Sequence, residues 1–294
     1  MDGLEFISDI KAYTIIERIT EGYSGDSKYK LEKDGKYFLL RVGDKIKSEE
    51  KEQEYNRLMM YVDKEINTHK PITFGTTDDK FYSIVSWVDG IPVMDIIKKD
   101  VTRNYYQLGK KVGIELHKLH SVSRNDFNAD WKSCIEIKTK VFLENYHRMN
   151  IEFACSKQAE KYLIENICLM SNRPQVVLHG DFHWNNCVVD ENGKVGIIDF
   201  SGNTIGDLWY EFGGVLWALE YSDSFVNGQI DGYFGTPPSD FWKIFKFYVA
   251  LYAFEHLMYN NGTQDDIKKR ISNASRMLNI VGDEFALNVP LFRK

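Results

Sequence analysis

Two carboxylates and one amide are spaced so that they could share a single piece of chemistry. Asp181 and Asn186 lie five residues apart in His179-Gly180-Asp181-Phe182-His183-Trp184-Asn185-Asn186, and Asp199 follows thirteen positions later, ending the run Val195-Gly196-Ile197-Ile198-Asp199. Transfer of a γ-phosphoryl group needs hard oxygen donors for the ions that bridge the phosphates. It also needs a carboxylate that orients the attacking hydroxyl and accepts its proton. An Asn and an Asp are donors that magnesium accepts without an excess of charge. On this reading Asp181 is the base, and Asn186 and Asp199 are the metal ligands. A lone loop Asp is more often a turn former or helix cap, so the weight rests on the ordered combination.

The elements around these residues must bring them together. Cys187-Val188-Val189 and Val195-Gly196-Ile197-Ile198 read as short strands, and Glu191-Asn192-Gly193-Lys194 between them contains an Asn-Gly pair, expected to supply the two positive-φ positions of a tight hairpin turn. The hairpin sets Asn186, before its first strand, beside Asp199, after its second. Asp181 then lies in the entering loop. Asp, Asn, hairpin and Asp follow one another as in the catalytic and metal loops of protein kinases.

This motif, with Gly206-Asp207-Leu208-Trp209-Tyr210-Glu211-Phe212 after it, resembles the aminoglycoside phosphotransferase family, the antibiotic and choline kinase-like group, in order over nearly the whole chain. The resemblance implies an α+β, bilobal, protein-kinase-like fold with an antiparallel-sheet N-lobe and a mostly helical C-lobe. It implies transfer of phosphate from ATP or GTP, with Mg2+, to a small-molecule hydroxyl. His179 would brace the catalytic loop and Asp207 would stabilise that loop through hydrogen bonds to its backbone. The family does not by itself name the acceptor.

A nucleotide lobe should precede the motif. Tyr13 to Ile19 reads as a strand, Glu21 to Ser27 as a flexible turn, and Lys28 to Glu32 as the returning strand. Ser24 and Ser27 in that turn are candidates for a loop over phosphates. After Asp34-Gly35, the strand Tyr37 to Val42 carries Arg41 where the family has the lysine for the α- and β-phosphates. A planar fork replaces a point charge there, so the phosphate geometry cannot be identical; choline kinase-like members resemble this chain in using Arg. The charged helix opening at Ser48 offers Glu54 as the acid that holds the basic residue, with Glu50 a fallback. Phe81 to Val88 fits the last strand and hinge, where backbone groups near Ser86 and Val88 would bind the purine edge. The lobes are then 1–88 and 89–294, joined by the hinge alone.

The remainder reads as helical. Leu108, Val112, Leu116 and Leu119 recur at helical spacing. Further helices are expected at Trp131 to Met149, Lys157 to Ser171, Asp207 to Tyr221 and Ser239 to Tyr259, and Thr263 with Asp266 opens a last one. A chain of 294 residues, 43% hydrophobic and 27% charged, can fill two lobes of an ordinary enzyme.

Its net charge of −6 argues against general nucleic-acid binding, and its longest apolar run is too short for a membrane span. The cysteines Cys134, Cys155, Cys168 and Cys187 show no metal spacing and no signal peptide precedes them, so reduced thiols in a cytoplasm are expected. The oligomeric state is not legible.

A cationic acceptor would call for carboxylates, and Glu211 and Asp231 are candidates among the acids of the C-terminal third, beside abundant aromatics. His183 and Trp184 could touch the acceptor or simply pack. The leading reading is a kinase for an aminoglycoside or related antibiotic. The alternatives are a metabolic kinase for choline, a sugar or an amino alcohol, and a nucleotide-binding pseudokinase.

Overall fold

A computed structural model describes residues 4–20, 25–122, 130–201, 205–260 and 262–293. Five strands, β1 (Thr14–Ile19), β2 (Ser27–Lys33), β3 (Lys36–Asp44), β4 (Pro71–Thr76) and β5 (Lys80–Ser86), form one antiparallel sheet in the order β1-β2-β3-β5-β4, with helix α1 (Ser48–Leu58) between β3 and β4. Asp34 and Gly35, at φ 52° and 72°, make the two-residue turn that locks Lys33 opposite Lys36.

Strand periodicity then separates two faces. Leu31, Leu40, Val42 and Ile84 turn outward under Leu4, Ile7 and Ile10. Leu39 and Val85 turn inward to the main core, and Lys28 and Arg41 share that inward face, directly opposite each other across the β2–β3 ladder.

The rest of the chain is mostly helical. In order come β6 (Ile91–Pro92), α2 (Val93–Lys99), α3 (Tyr106–Val122), α4 (Trp131–Met149), α5 (Ser156–Asn166), the short strands β7 (Gln175–Val177), β8 (Cys187–Val189), β9 (Val195–Ile197) and β10 (Ile205–Asp207), then α6 (Val215–Ala218), α7 (Asp223–Phe234), α8 (Phe241–Met258) and α9 (Gln264–Asn279). Helix α8 is apolar over most of its surface and lies in the core, with Phe247, Tyr248, Leu251 and Phe254 fully buried. Helices α3 and α7 approach so closely that a Cβ on Gly109 or Gly113 would overlap the backbone of Phe225 and Gln229.

Several expectations change here. The helix expected over Asp207 to Tyr221 is a 3-10 turn, Leu208–Gly214, followed by the single turn α6. Helix α7 forms where the sequence pattern predicts no helix. The two lobes are not joined by the hinge alone: Asn67 O accepts from Ile197 N at 2.9 Å, Arg57 reaches Leu178 O and Ser201 O at 3.4 and 3.3 Å, and one core runs through Leu39, Leu58, Val85 and Ile197. Among the described residues no helix is long and apolar enough to cross a membrane.

Candidate active site

The β8–β9 hairpin is held differently from the Asn-Gly turn expected of it. Gly193 has φ 73°, while Asn192 does not take positive φ. Gly193 N donates to Asp190 O and Asp190 N to Lys194 O, both at 3.0 Å, while the Asp190 carboxylate accepts from Asn192 N and Lys194 N. This is a type I turn closed by a left-handed glycine. The consequence for the site is the same: Ile198 N donates to Asn186 O at 3.0 Å, so the segments carrying Asn186 and Asp199 lie side by side.

Asp181 precedes them in a loop that packs tightly on the metal-side loop. Gly180 has φ 90°, a Cβ there would sit 2.1 Å from Ser201 O, and Ser201 N donates to His179 O at 3.0 Å. His179 is fully buried. Its Nδ1 accepts from Asp181 N at 3.2 Å and its Nε2–H donates to Ile198 O at 2.8 Å, so this ring braces both loops as a neutral imidazole; burial lowers its pKa.

The Asn186 amide nitrogen donates to Asp181 O at 2.9 Å and to Asp181 Oδ2 at 3.2 Å, which leaves the amide oxygen for a cation. His183 Nδ1 accepts from Asn185 N, and Nε2 stands 3.5 Å from Asp181 Oδ1. Burial pushes the Asp181 carboxyl up, but the hydrogen bond and charge of His183, with help from His179 and Asn186, outweigh it and hold the pKa below the ordinary value.

Asp199 sits at φ 58°, a left-handed backbone uncommon for a non-glycine residue and typical of functional positions. Its carboxylate receives Arg41 Nη2 at 3.0 Å and faces Lys28 Nζ at 3.9 Å. Burial raises its pKa, yet Lys28 and Arg41 more than reverse this and leave it lowered. Arg41 also lies 3.7 Å from buried Glu54, whose two oxygens accept from Lys51 Nζ at 2.8 and 2.9 Å.

The cavity in front of this cluster, about 310 Å³, is lined by Ile19, Leu39 and Ile198 on its apolar side, Val88 at the hinge, and Lys28, Asn186 and Asp199 at the polar end. An apolar slot ending in cations and hard oxygen donors suits a purine and its phosphates. Among the described residues no three His, Cys, Asp or Glu side chains cluster to hold a metal. The Asn186 amide and Asp199 carboxylate oxygens are hard donors of the kind magnesium takes alongside water and phosphate.

On the other side of Asp181 lies a second cavity of about 260 Å³, lined by Tyr210, Trp217, Tyr252, Glu255, His256 and Tyr259 among others. Glu255 Oε1 accepts from Tyr259 at 3.3 Å, and Oε2 has no hydrogen-bond partner. Burial raises its pKa and pushes that of His256 down to about 4.

A family model described as the phosphotransferase enzyme family matches residues 15–242. The chain belongs to that family. It is accordingly a phosphotransferase enzyme. The structure is similar to an aminoglycoside phosphotransferase, APH(4)-Ia, solved with ADP and hygromycin B, at TM-score 0.69 and 16% identity over 94% of this chain and 98% of that one. It is also similar to a choline kinase, LicA, from Streptococcus pneumoniae, at TM-score 0.59 and 13% identity over 93% and 96% of the two chains. A putative fructosamine-3-kinase from Haemophilus somnus aligns at TM-score 0.59 and 12% identity over 90% and 92%. At such identities these likenesses establish the kinase-like fold. No protein of curated function matches the sequence significantly.

Within this kinase-like frame several roles are redistributed. Asp207 does not touch the catalytic loop: it accepts from Arg173 Nε and Tyr248 Oη at 2.7 and 2.6 Å and caps the following 3-10 turn through Trp209 N. Glu211 holds the loop instead. It is buried and accepts from His179 N at 2.9 Å, Gly180 N at 2.7 Å and His120 Nε2 at 3.0 Å, so its carboxylate is not free for an acceptor cation.

Asp231 points away from the site into a pair with Arg293 and a 2.9 Å bond from Tyr106 Oη. Trp184 packs on Tyr221 inside the core. The Ser86 backbone is already used, its N–H by Lys70 O and its C=O by His69 Nδ1, both at 2.8 Å, while Val88 lines the cleft beside Trp87 and Gly90. Ser27 begins β2 opposite Val42, outside the turn assigned to it, and Ser24 lies outside the described residues. Lys28, Lys51 and His69 carry no signal in the sequence beyond residue type: β2 places Lys28 opposite Arg41, α1 carries Lys51, and His69 precedes β4.

Proposed function

We propose that the chain transfers the γ-phosphate of ATP, with GTP as the second donor to test, to the hydroxyl of a small cationic alcohol, with Mg2+ held by Asn186 and Asp199. The observation that carries this reading is the convergence of Asp181, Asn186 and Asp199 between two cavities of different character. A pseudokinase has no need of all three. The lobe boundary is taken at Val88, and 1–88 and 89–294 act as nucleotide and acceptor lobes. A cytoplasmic setting is adopted, since it supplies the nucleotide and keeps thiols such as Cys134 and Cys187 reduced.

Magnesium supplies neutralisation of the phosphate charge when bound. The protein does the rest by positioning. Asn186 fixes the Asp181 carboxylate and His183 aims it. The acceptor hydroxyl donates its hydrogen to Asp181 as its oxygen forms the new bond to phosphorus, the bond to the departing nucleoside diphosphate breaks, and the proton ends on the carboxylate. A carboxylate with a lowered pKa is a weak base, so its main service is orientation, as suits a loose phosphoryl-transfer transition state.

For the acceptor, the pocket favours one positive charge beside aromatic faces. Glu255 lines this pocket with no ion pair within 4.0 Å among the described residues, whereas Glu220 is paired with Arg276 and Asp231 with Arg293. A compact amino alcohol fits this arrangement, and so does an aminoglycoside presenting a single amine; the second case would make the chain a resistance determinant. A magnesium-dependent coupled assay over aminoglycosides, choline, ethanolamine-type alcohols and neutral sugars, with both ATP and GTP, tests the reading. Phosphorylation of amine-bearing alcohols is expected. Turnover confined to neutral sugars would remove the cationic-acceptor assignment, and none with any acceptor would remove the kinase assignment.

A further inference from the structure

Lys28 and Arg41 occupy directly paired positions on β2 and β3, with both side chains on the inward face. Like charges directly opposite each other destabilise a sheet, so a shared anion is required in front of them. Asp199 fills that place, 3.0 Å from Arg41 and 3.9 Å from Lys28. The two cations are nevertheless not equivalent. Arg41 has Glu54 as a second carboxylate, at 3.7 Å. For Lys28, Asp199 is the one carboxylate within 4.0 Å among the described residues. Lys28 is also buried and lines the nucleotide cleft beside Asn186 and Asp199, at its polar end.

We infer that Lys28 is a second phosphate-binding residue, which leaves Asp199 and meets the nucleotide phosphates directly when the cleft fills. The inference rests on the phosphotransfer reading. A polyphosphate entering the cleft brings more negative charge than the single Asp199 carboxylate that the two cations share, with or without a metal ion. Arg41 keeps Glu54, whereas the nearest anions for Lys28 are the phosphates. An ammonium there also supplies the point charge that the tethered guanidinium fork of Arg41 does not. The alternative is that Lys28 only steadies Asp199, and the two roles separate by what magnesium does to them.

Binding of ADP and of adenosine is measured by calorimetry for the parent and for Lys28→Met, with magnesium and in EDTA. A direct phosphate contact predicts that Lys28→Met weakens ADP roughly 10- to 100-fold even in EDTA, the scale of one charge-assisted bond, with adenosine essentially unchanged. Unchanged ADP binding, an equal loss for adenosine, or a loss seen only with magnesium would each overturn the assignment. If Lys28→Met does not fold, the parent decides: ADP in EDTA, unlike adenosine, should protect Lys28 from amine acylation read by mass spectrometry, and equal labelling rejects the contact. A parent that binds no nucleotide at all would instead bring down the phosphotransfer reading and this inference with it.

Discussion

The two cavities that flank the Asp181–Asn186 loop are built on opposite principles. The nucleotide side gathers formal charge: Lys28, Arg41, Lys51, Glu54 and Asp199 form one connected set in which every group has a partner. The acceptor side gathers aromatic rings around Glu255, which has no ion pair within 4.0 Å among the described residues. The contrast follows from what each side must bind. A polyphosphate with its metal presents fixed charges that reward preorganised countercharges, while an organic cation gains from ring faces and one desolvated carboxylate. Removing charge should therefore damage the first side by abolishing binding and the second by changing preference.

The largest effects test the shared centre. Asp181→Asn should lower turnover at least ~10²-fold, the scale of a positioned base, with nucleotide affinity nearly unchanged; equal turnover of variant and parent would show that Asp181 is not the base. Asp199→Ala should abolish the magnesium-dependent part of nucleotide affinity and Asn186→Ala should weaken it, as read in a magnesium titration. If both variants titrate like the parent, the metal assignment fails.

Next is the carboxylate that belongs to neither cavity's ligand. Glu211→Ala strands the amides of His179 and Gly180 in a buried setting, so a denaturant melt should show a loss of about 2–5 kcal/mol, together with a fall in turnover that no acceptor concentration restores. A rise in KM alone, with stability kept, would return Glu211 to the acceptor site.

Smaller effects sharpen the acceptor side. Glu255 has its pKa raised by burial, so it is protonated at pH values where an exposed carboxyl is already charged. KM for a cationic acceptor should fall as pH rises through that elevated pKa, and Glu255→Gln should flatten the dependence while barely altering a neutral acceptor. Asp181, with its pKa lowered, stays ionised across the same range and contributes no such slope. Last, Asp231→Asn should leave every KM unchanged, because its partners are Arg293 and Tyr106; a change in acceptor KM would contradict the pairing.

The sequence by itself determined the chemistry and its local frame. Asp181, Asn186 and Asp199 are bound together by a short loop and a hairpin, and within so few residues spacing dictates geometry, so even a misjudged turn type at Asn192 left the hairpin ends together. The family resemblance likewise singled out Arg41 on its strand, and the helix expected over Trp131 to Met149 coincides with α4. Only the tertiary structure decided which charges are free. Glu211 and Asp207 lie four residues apart in one motif, yet Glu211 turns to the catalytic loop and Asp207 to Arg173 and Tyr248. Asp231 is consumed by an arginine near the end of the chain, and Lys28 meets Asp199 across 171 positions. A carboxylate's service depends on which donors are packed against it, and those come from elements distant in sequence, whose approach no local pattern records.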